Sequence, residues 1–319
     1  MMIVEKSFPI KPEFSPIQDT TPFSGVLPFL KILVDGKILH RLPGERLRSQ
    51  GWLDGQMILS IMLLNLLGFD HVSDIDRLED DRVLCRILGK IEPHLFGRRG
   101  RTLDGRHRGG RKRTFPSPRS IRDWLERCHD EAAGKKRVKG EAWIPPPSCA
   151  LKRLHRINGS MIHRQVKGKN LTHLTIDIDA TIIRSGKREC LSTYRAANTT
   201  VPFERGYQPL MGYSPELGMI LHVEMRDGNV AASTGNCRFL DEILHMLPDR
   251  VTSVSVRMDT AGYQHEVIRY CNDPSTRDEP VRRFGTIGFV VGATLCDSSL
   301  DSIASTAKSD WQPGVGDCE

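Results

Sequence analysis

The segment His173 to Ile183 reads H-L-T-I-D-I-D-A-T-I-I, an alternation that a strand satisfies and a helix does not. Leu174, Ile176, Ile178, Ala180 and Ile182 fall on one side, and Thr175, Asp177, Asp179 and Thr181 on the other. Side chains alternate along a strand, so Asp177 and Asp179 project the same way with about 7 Å of strand between them. Aspartate is depleted in strands, and two within three residues need a reason. The polar side of a half-buried strand can simply face water, or the two carboxylates can be held for a metal or for catalysis. This segment alone leaves both readings open.

The pattern downstream supplies context. Tyr207 to Tyr213 and Leu217 to Arg226 read as a hairpin with Ser214-Pro215 near its turn; in the second arm Leu217, Met219, Leu221, Val223 and Met225 alternate with more polar positions. Asn236 to Leu247 carries an amphipathic stripe of Phe239, Leu240, Ile243, Leu244 and Leu247, closed by Pro248. Val251 to Met258 is a strand delivering Asp259, Gly262 to Asn272 is a short helix, and Thr286 to Ala293 is an apolar run expected of a strand buried on both faces. Three antiparallel strands followed by helix-linked parallel ones describe a mixed five-stranded, ribonuclease-H-like sheet. The first and fourth strands are then neighbours, and Asp179 and Asp259 converge. Two converging carboxylates make a hard oxygen site suited to Mg²⁺ or Mn²⁺, and two ions about 4 Å apart serve phosphoryl transfer.

The first half is different. Residues 1 to about 24 hold four prolines and read as an irregular arm, and a helical region of residues 25–134 follows. Leu53 to Phe69 is a buried helix stopped by Gly68; Ser73 is placed to cap the next one, whose apolar face is Ile75, Leu78, Val83, Ile87 and Leu88 and which Gly89 ends. Ser117-Pro118 opens another through Ile121, Trp124 and Leu125, with Trp124 in the core. Residues 135–170 read as a basic linker and 171–319 as the second domain. Between Arg98 and Lys169 the chain carries 21 Lys and Arg against 6 Asp and Glu, although its net charge is only +7. Such a belt is the footprint of a polyanion, and Arg98, Arg99, Arg101, Arg106, Arg108, Arg111, Lys112, Arg113 and Arg119 are its candidate DNA contacts. The stretch from Arg98 to Arg113 is Gly-rich and expected to be irregular until it meets phosphate.

Eight scattered cysteines without a C-x-x-C pair, and no signal peptide, suggest a reducing cytoplasm. The longest apolar stretch, Met57 to Phe69, is 13 residues, too short to span a bilayer. Eleven histidines show no H-E-x-x-H and no Cys/His zinc spacing, and Gly105 to Gly110 lacks the ending of a phosphate loop. Asn229 is expected to cap a turn, and Tyr263 either packs under Asp259 or touches DNA.

Taken in order, several stretches resemble insertion-sequence transposases of the DDE class, in which a ribonuclease-H-like catalytic domain follows a helical DNA-binding domain. They are Q-G-W-L-D-G-Q from Gln50, L-L-N-L-L-G-F-D-H-V-S-D-I-D-R-L from Leu63 and F-P-S-P-R-S-I-R-D-W-L-E-R-C-H from Phe115. The second half adds L-T-I-D-I-D-A-T from Leu174, G-Y-Q-P from Gly206, M-R-D-G-N from Met225, V-R-M-D-T-A-G-Y from Val256 and G-F-V-V-G-A from Gly288. The resemblance implies an α+β chain that binds the terminal inverted repeats of an element as double-stranded DNA, with a homodimer as the expected assembly. It also implies metal-dependent cleavage and strand transfer at the prokaryotic nucleoid. It places the first catalytic Asp at Asp179, followed by Ala180 and Thr181, and the second at Asp259; Asp177 is a flanking residue or an alternate metal ligand. The family's third acid, a Glu in a Tyr-x-x-Arg-x-x-x-Glu signature, has no counterpart. Asp297, Asp301, Asp310, Asp317 and Glu319 are the remaining acids, so the chain is expected to be C-terminally incomplete. The alternative is a catalytically inactive remnant that only binds DNA.

Overall fold

The computed structural model describes residues 20–35, 39, 52–96, 107–108, 111–138, 140–187, 190, 205–293 and 296–310. The chain divides into two units, Met1–Lys136 with Pro146–Met161, and Arg137–Pro145 with Ile162–Glu319. Among the described residues no helix is long and apolar enough to cross a membrane.

The first unit holds α1 (Leu27–Asp35), α2 (Asp54–Leu66), α3 (Ile75–Asp80), α4 (Arg82–Phe96), the two-residue strands β1 (His107–Arg108) and β2 (Arg111–Lys112), α5 (Pro118–Arg127), α6 (Glu131–Gly134) and the first part of α7 (Cys149–Gly168). Its core joins Leu30, Leu63, Ile75, Leu78, Leu84, Leu88 and Ile121, all buried. Full burial of one such side chain contributes about 1.5–3 kcal/mol. Gly68, at φ +73°, closes α2 as expected. Ser117 Oγ accepts the Ser120 N–H at 3.2 Å and starts α5, with Pro118 first in the helix. Trp124 is in the core, its Nε1 donating to Asp54 Oδ1 at 2.9 Å.

Five local expectations are corrected here. The single helix read from Ser73 to Gly89 is two, broken at Asp81, whose Oδ1 accepts the Leu84 N–H at 2.8 Å and whose Oδ2 accepts Thr21 Oγ1 at 2.6 Å. Ser73 is not the cap, since residues 72–74 wind as a 3₁₀ turn in which Asp74 accepts the His71 N–H at 3.2 Å. Gly89 does not end α4: its cost of about 1 kcal/mol is small beside the buried stripe of Leu84, Leu88, Ile91 and Leu95. Within the Gly-rich basic stretch, β1 and β2 pair antiparallel, His107 with Lys112 and Arg108 with Arg111. The stretch read as a linker contains the 20-residue α7.

The second unit runs β3 (His173–Ala180), β4 (Ile183–Arg184), β5 (Gly206–Tyr207), β6 (Leu210–Ser214), β7 (Met219–Glu224), α8 (Asn236–Met246), β8 (Ser253–Met258), α9 (His265–Asn272), α10 (Glu279–Arg282), β9 (Gly288–Val291) and α11 (Asp297–Ser305). The sheet order is β7-β6-β3-β8-β9, with β7, β6 and β3 antiparallel and β3, β8 and β9 parallel. This is the expected α+β class with a mixed five-stranded sheet. Leu174, Ile176, Ile178, Val254 and Val256 form the covered face, packed with Phe239, Leu240, Ile243 and Leu244 of α8. Gly212 lets α8 lie close, for a Cβ there would sit 2.4 Å from Ile243 Cδ1.

Two further readings change. The hairpin register shifts between Gly212 and Tyr213, leaving Leu221 as the extra residue of a bulge. A one-residue insertion exchanges the two faces beyond it. Val223 and Met225, expected inside, are therefore exposed, while Glu224 and Arg226 are buried. Residues 286–293 are not buried on both faces: β9 is an edge strand and Val290 is 69% exposed. That open face also carries Tyr213, Ile220 and Val223.

Candidate active site

The site is built by register. β3 and β8 pair in parallel from His173↔Ser253 to Ile178↔Met258, so Asp179 and Asp259 are the next residues of two adjacent strands. Strand axes lie about 4.8 Å apart. The directly opposed pair one pleat back meets on the open face: Arg257 Nε and Nη2 reach the two oxygens of Asp177 at 2.5 and 2.6 Å. Asp179 lies on that face of β3 and is exposed, and Asp259, the residue after β8, is exposed as well.

Each carboxylate is held by the backbone. Asp179 Oδ1 accepts the Ala180 N–H at 2.7 Å. Asp259 Oδ1 accepts the Ala261 N–H at 3.0 Å and caps the 3₁₀ turn Thr260–Gly262. That turn folds back on the strand so closely that a Cβ on Gly262 would lie 2.4 Å from Met258 Cβ, which accounts for the glycine in D-T-A-G-Y. Among the described residues neither Asp179 nor Asp259 has an ion-pair partner. Two exposed, charge-unpaired oxygen donors on neighbouring strands fit a divalent cation such as Mg²⁺. Asp177 differs: both its oxygens are engaged by Arg257, and that pairing raises the guanidinium's pKa.

Sequence reasoning missed a buried polar group at the same end of the sheet. Glu224 Oε1 accepts Arg226 Nε at 2.7 Å, and Glu224 Oε2 accepts Nη2 of Arg238 from the first turn of α8. Arg226 is fully buried, and burial lowers its pKa against the pull of Glu224. Beside it Asp227 pairs with Arg137 at 2.8 Å, with burial raising its carboxyl pKa. The M-R-D-G-N motif was the available signal, but an uninterrupted alternation puts its arginine outside. Asn229, expected to cap a turn, donates instead to Gly140 O at 3.3 Å.

The other candidates are placed as follows. Arg98, Arg99, Arg101 and Arg106 lie outside the described residues, as do Asp317 and Glu319. Arg108 is on β1, Arg111 and Lys112 are on β2, Arg119 is exposed on α5, and Arg113 pairs with Asp76 at 2.5 Å. Asp297, Asp301 and Asp310 are exposed in or after α11. Tyr263 does not pack under Asp259; it is 61% exposed. One cluster of three potential ligands occurs among the described residues, Asp241, His245 and Asp278, whose atoms lie within 4.8 Å of one another, and it shares no residue with Asp179 and Asp259. A cavity of about 760 Å³ lies in the first unit, lined by Asp54, Asp123, Trp124 and Arg153 among others. It contains none of the sheet's carboxylates.

Residues 51–277 match the family described as transposase DDE domain, group 1. No curated protein and no solved structure matches the chain.

Proposed function

The chain belongs to the transposase DDE domain family, group 1, and from that premise we propose that it binds the ends of an insertion sequence and cuts and joins DNA there with divalent metal ions. The observation that supports the proposal is the parallel register of β3 and β8, whose last pair, Ile178↔Met258, is followed by Asp179 in β3 and by Asp259 just beyond β8, both exposed. In this reading those two carboxylates hold Mg²⁺ or Mn²⁺. When bound, such ions activate an attacking oxygen and stabilise the leaving oxygen in phosphoryl transfer. The backbone N–H groups of Ala180 and Ala261 orient the carboxylates, and Arg257 neutralises Asp177 so that a third negative charge is not left beside them. DNA is the partner, contacted through Arg98, Arg99, Arg101, Arg106, Arg108, Arg111, Lys112, Arg113 and Arg119, with a homodimer pairing the two element ends in the cytoplasm at the nucleoid.

A second reading, a remnant that binds element ends without cutting them, is favoured by one observation. Among the described residues, no third carboxylate or imidazole groups with Asp179 and Asp259. The deciding experiment incubates the purified protein with a supercoiled donor carrying matched element ends and Mg²⁺ or Mn²⁺. Nicking or excision that Asp179→Asn abolishes supports the first reading. End binding without any metal-dependent cleavage supports the second.

A further inference from the structure

The first turn of α8 reaches across to the turn that follows Asp259. Asn236 is 3% exposed, and its Nδ2 donates to Ala261 O at 3.3 Å. The N–H of that same Ala261 donates to Asp259 Oδ1 at 3.0 Å. Gln264 returns the contact, its Nε2 donating to Ser233 O at 2.8 Å. Two side-chain amides, one from each segment, thus tie residues 233–236 to residues 261–264. The α8 turn is itself anchored, because Arg238 binds Glu224 at the end of β7. Asp259 has no other described hydrogen-bond donor, so the orientation of its carboxylate follows that of the Thr260–Ala261 peptide, whose neighbour across Ala261 is the one Asn236 holds.

We infer that Asn236 is a positioning residue for Asp259: by holding the Ala261 carbonyl it fixes the backbone of Ala261, and with it the preceding peptide, whose N–H carries one carboxylate oxygen while the other is left for the cation site. This deepens the reading of Asp179 and Asp259 as metal ligands and rests on it. Groups that orient a metal ligand typically change affinity by about 10–100-fold when removed. The buried Asn236 Oδ1 has no hydrogen-bond partner, so its amide makes one defined contact, and that contact is the one to Ala261.

The test is Mn²⁺ affinity of the full chain, read from the spin-resonance signal of free Mn²⁺, with folding followed by circular dichroism. Asn236→Ala is expected to weaken Mn²⁺ binding about 10-fold or more. Asn236→Asp keeps the side chain's volume but turns an acceptor toward the Ala261 carbonyl, so it should weaken binding as much while remaining folded. Gln264→Ala should give a smaller loss of the same sign. Folded Asn236 variants whose Mn²⁺ affinity stays within about two-fold, far below the loss expected on removing an orienting group, overturn the proposal, even if their melting temperature falls. Asp179→Asn and Asp259→Asn serve as the reference. If neither alters Mn²⁺ affinity, the metal-site reading fails and takes this inference with it; if both do and Asn236 does not, the inference alone is wrong.

Discussion

Asp177 and Asp179 lie on one face of β3 and Asp259 follows the end of the neighbouring β8, yet their surroundings differ. Asp179 and Asp259 each have one oxygen on a backbone N–H and no cationic partner among the described residues, whereas Arg257 occupies both oxygens of Asp177. Asp179→Asn or Asp259→Asn should therefore lower metal-dependent DNA cleavage by at least about 100-fold, the scale on which a lost electrostatic stabiliser acts. The readout is single-turnover nicking of a labelled element end. Arg257 gives a subtler prediction. A unit charge about 7 Å from a divalent ion interacts with it through water by about 1.2 kcal/mol. Arg257→Ala both removes a positive charge and frees Asp177, so Mn²⁺ affinity measured by titration should rise about seven-fold, the ratio to which that energy corresponds. A fall would mean that Arg257 organises the site instead.

At the scale of elements, Glu216 shows how the sheet secures the start of β3. Burial pushes its carboxyl up, but hydrogen bonds from Thr175 and Ser214 outweigh this and hold its pKa below the usual 4.5. The sign follows from linkage: the contribution is fully present above the unfolded value near 4.5 and is lost as pH falls through the lower folded value. Allowing for solvent screening, about 1 kcal/mol is at stake. Urea denaturation of wild type should show that loss below about pH 4.5, the unfolded-state value of the carboxyl, and Glu216→Gln should lack it. Some elements were readable because local pattern and tertiary environment agree. The alternation of β3, the stripe of α8 and the Ser-Pro start of α5 each survive into the fold. Others depend on contacts no local window contains. Leu221 reads as one more apolar residue of a strand, and only its pairing with β6 makes it a bulge that buries Glu224 and Arg226. Asp81 breaks a continuous helical pattern by capping the Leu84 N–H, and Thr21, 60 residues away, donates to the other oxygen of its carboxylate. Residues 286–293 have the composition of a central strand but the position of an edge. That the strands leading to Asp179 and Asp259 are parallel neighbours was legible because it needs only strand order; the contact of Asn236 was not, because it is made across a turn.

For the molecule as a whole, the charge asymmetry predicts a division of labour. DNA affinity should reside mainly in residues 1–170, a fragment that keeps all of α7 and 21 of the belt's basic residues. Binding should weaken with salt by a log–log slope near −0.9 per phosphate neutralised. Changing Arg111, Lys112 and Arg113 together to Ala should flatten that slope, with Arg113 contributing least because Asp76 already pairs with it. Equally tight binding by residues 171–319 alone would reverse the assignment. Whether Asp179 and Asp259 form one divalent-cation site can be read by iron-mediated affinity cleavage of the full chain. Fe²⁺ placed in the site with ascorbate and peroxide cuts the polypeptide near its ligands, and mass spectrometry locates the cuts. Breaks are expected beside both Asp179 and Asp259, suppressed together by excess Mg²⁺ and absent in Asp179→Asn. Breaks confined to the neighbourhood of Asp241, His245 and Asp278, with none at the ends of β3 and β8, would contradict a shared site.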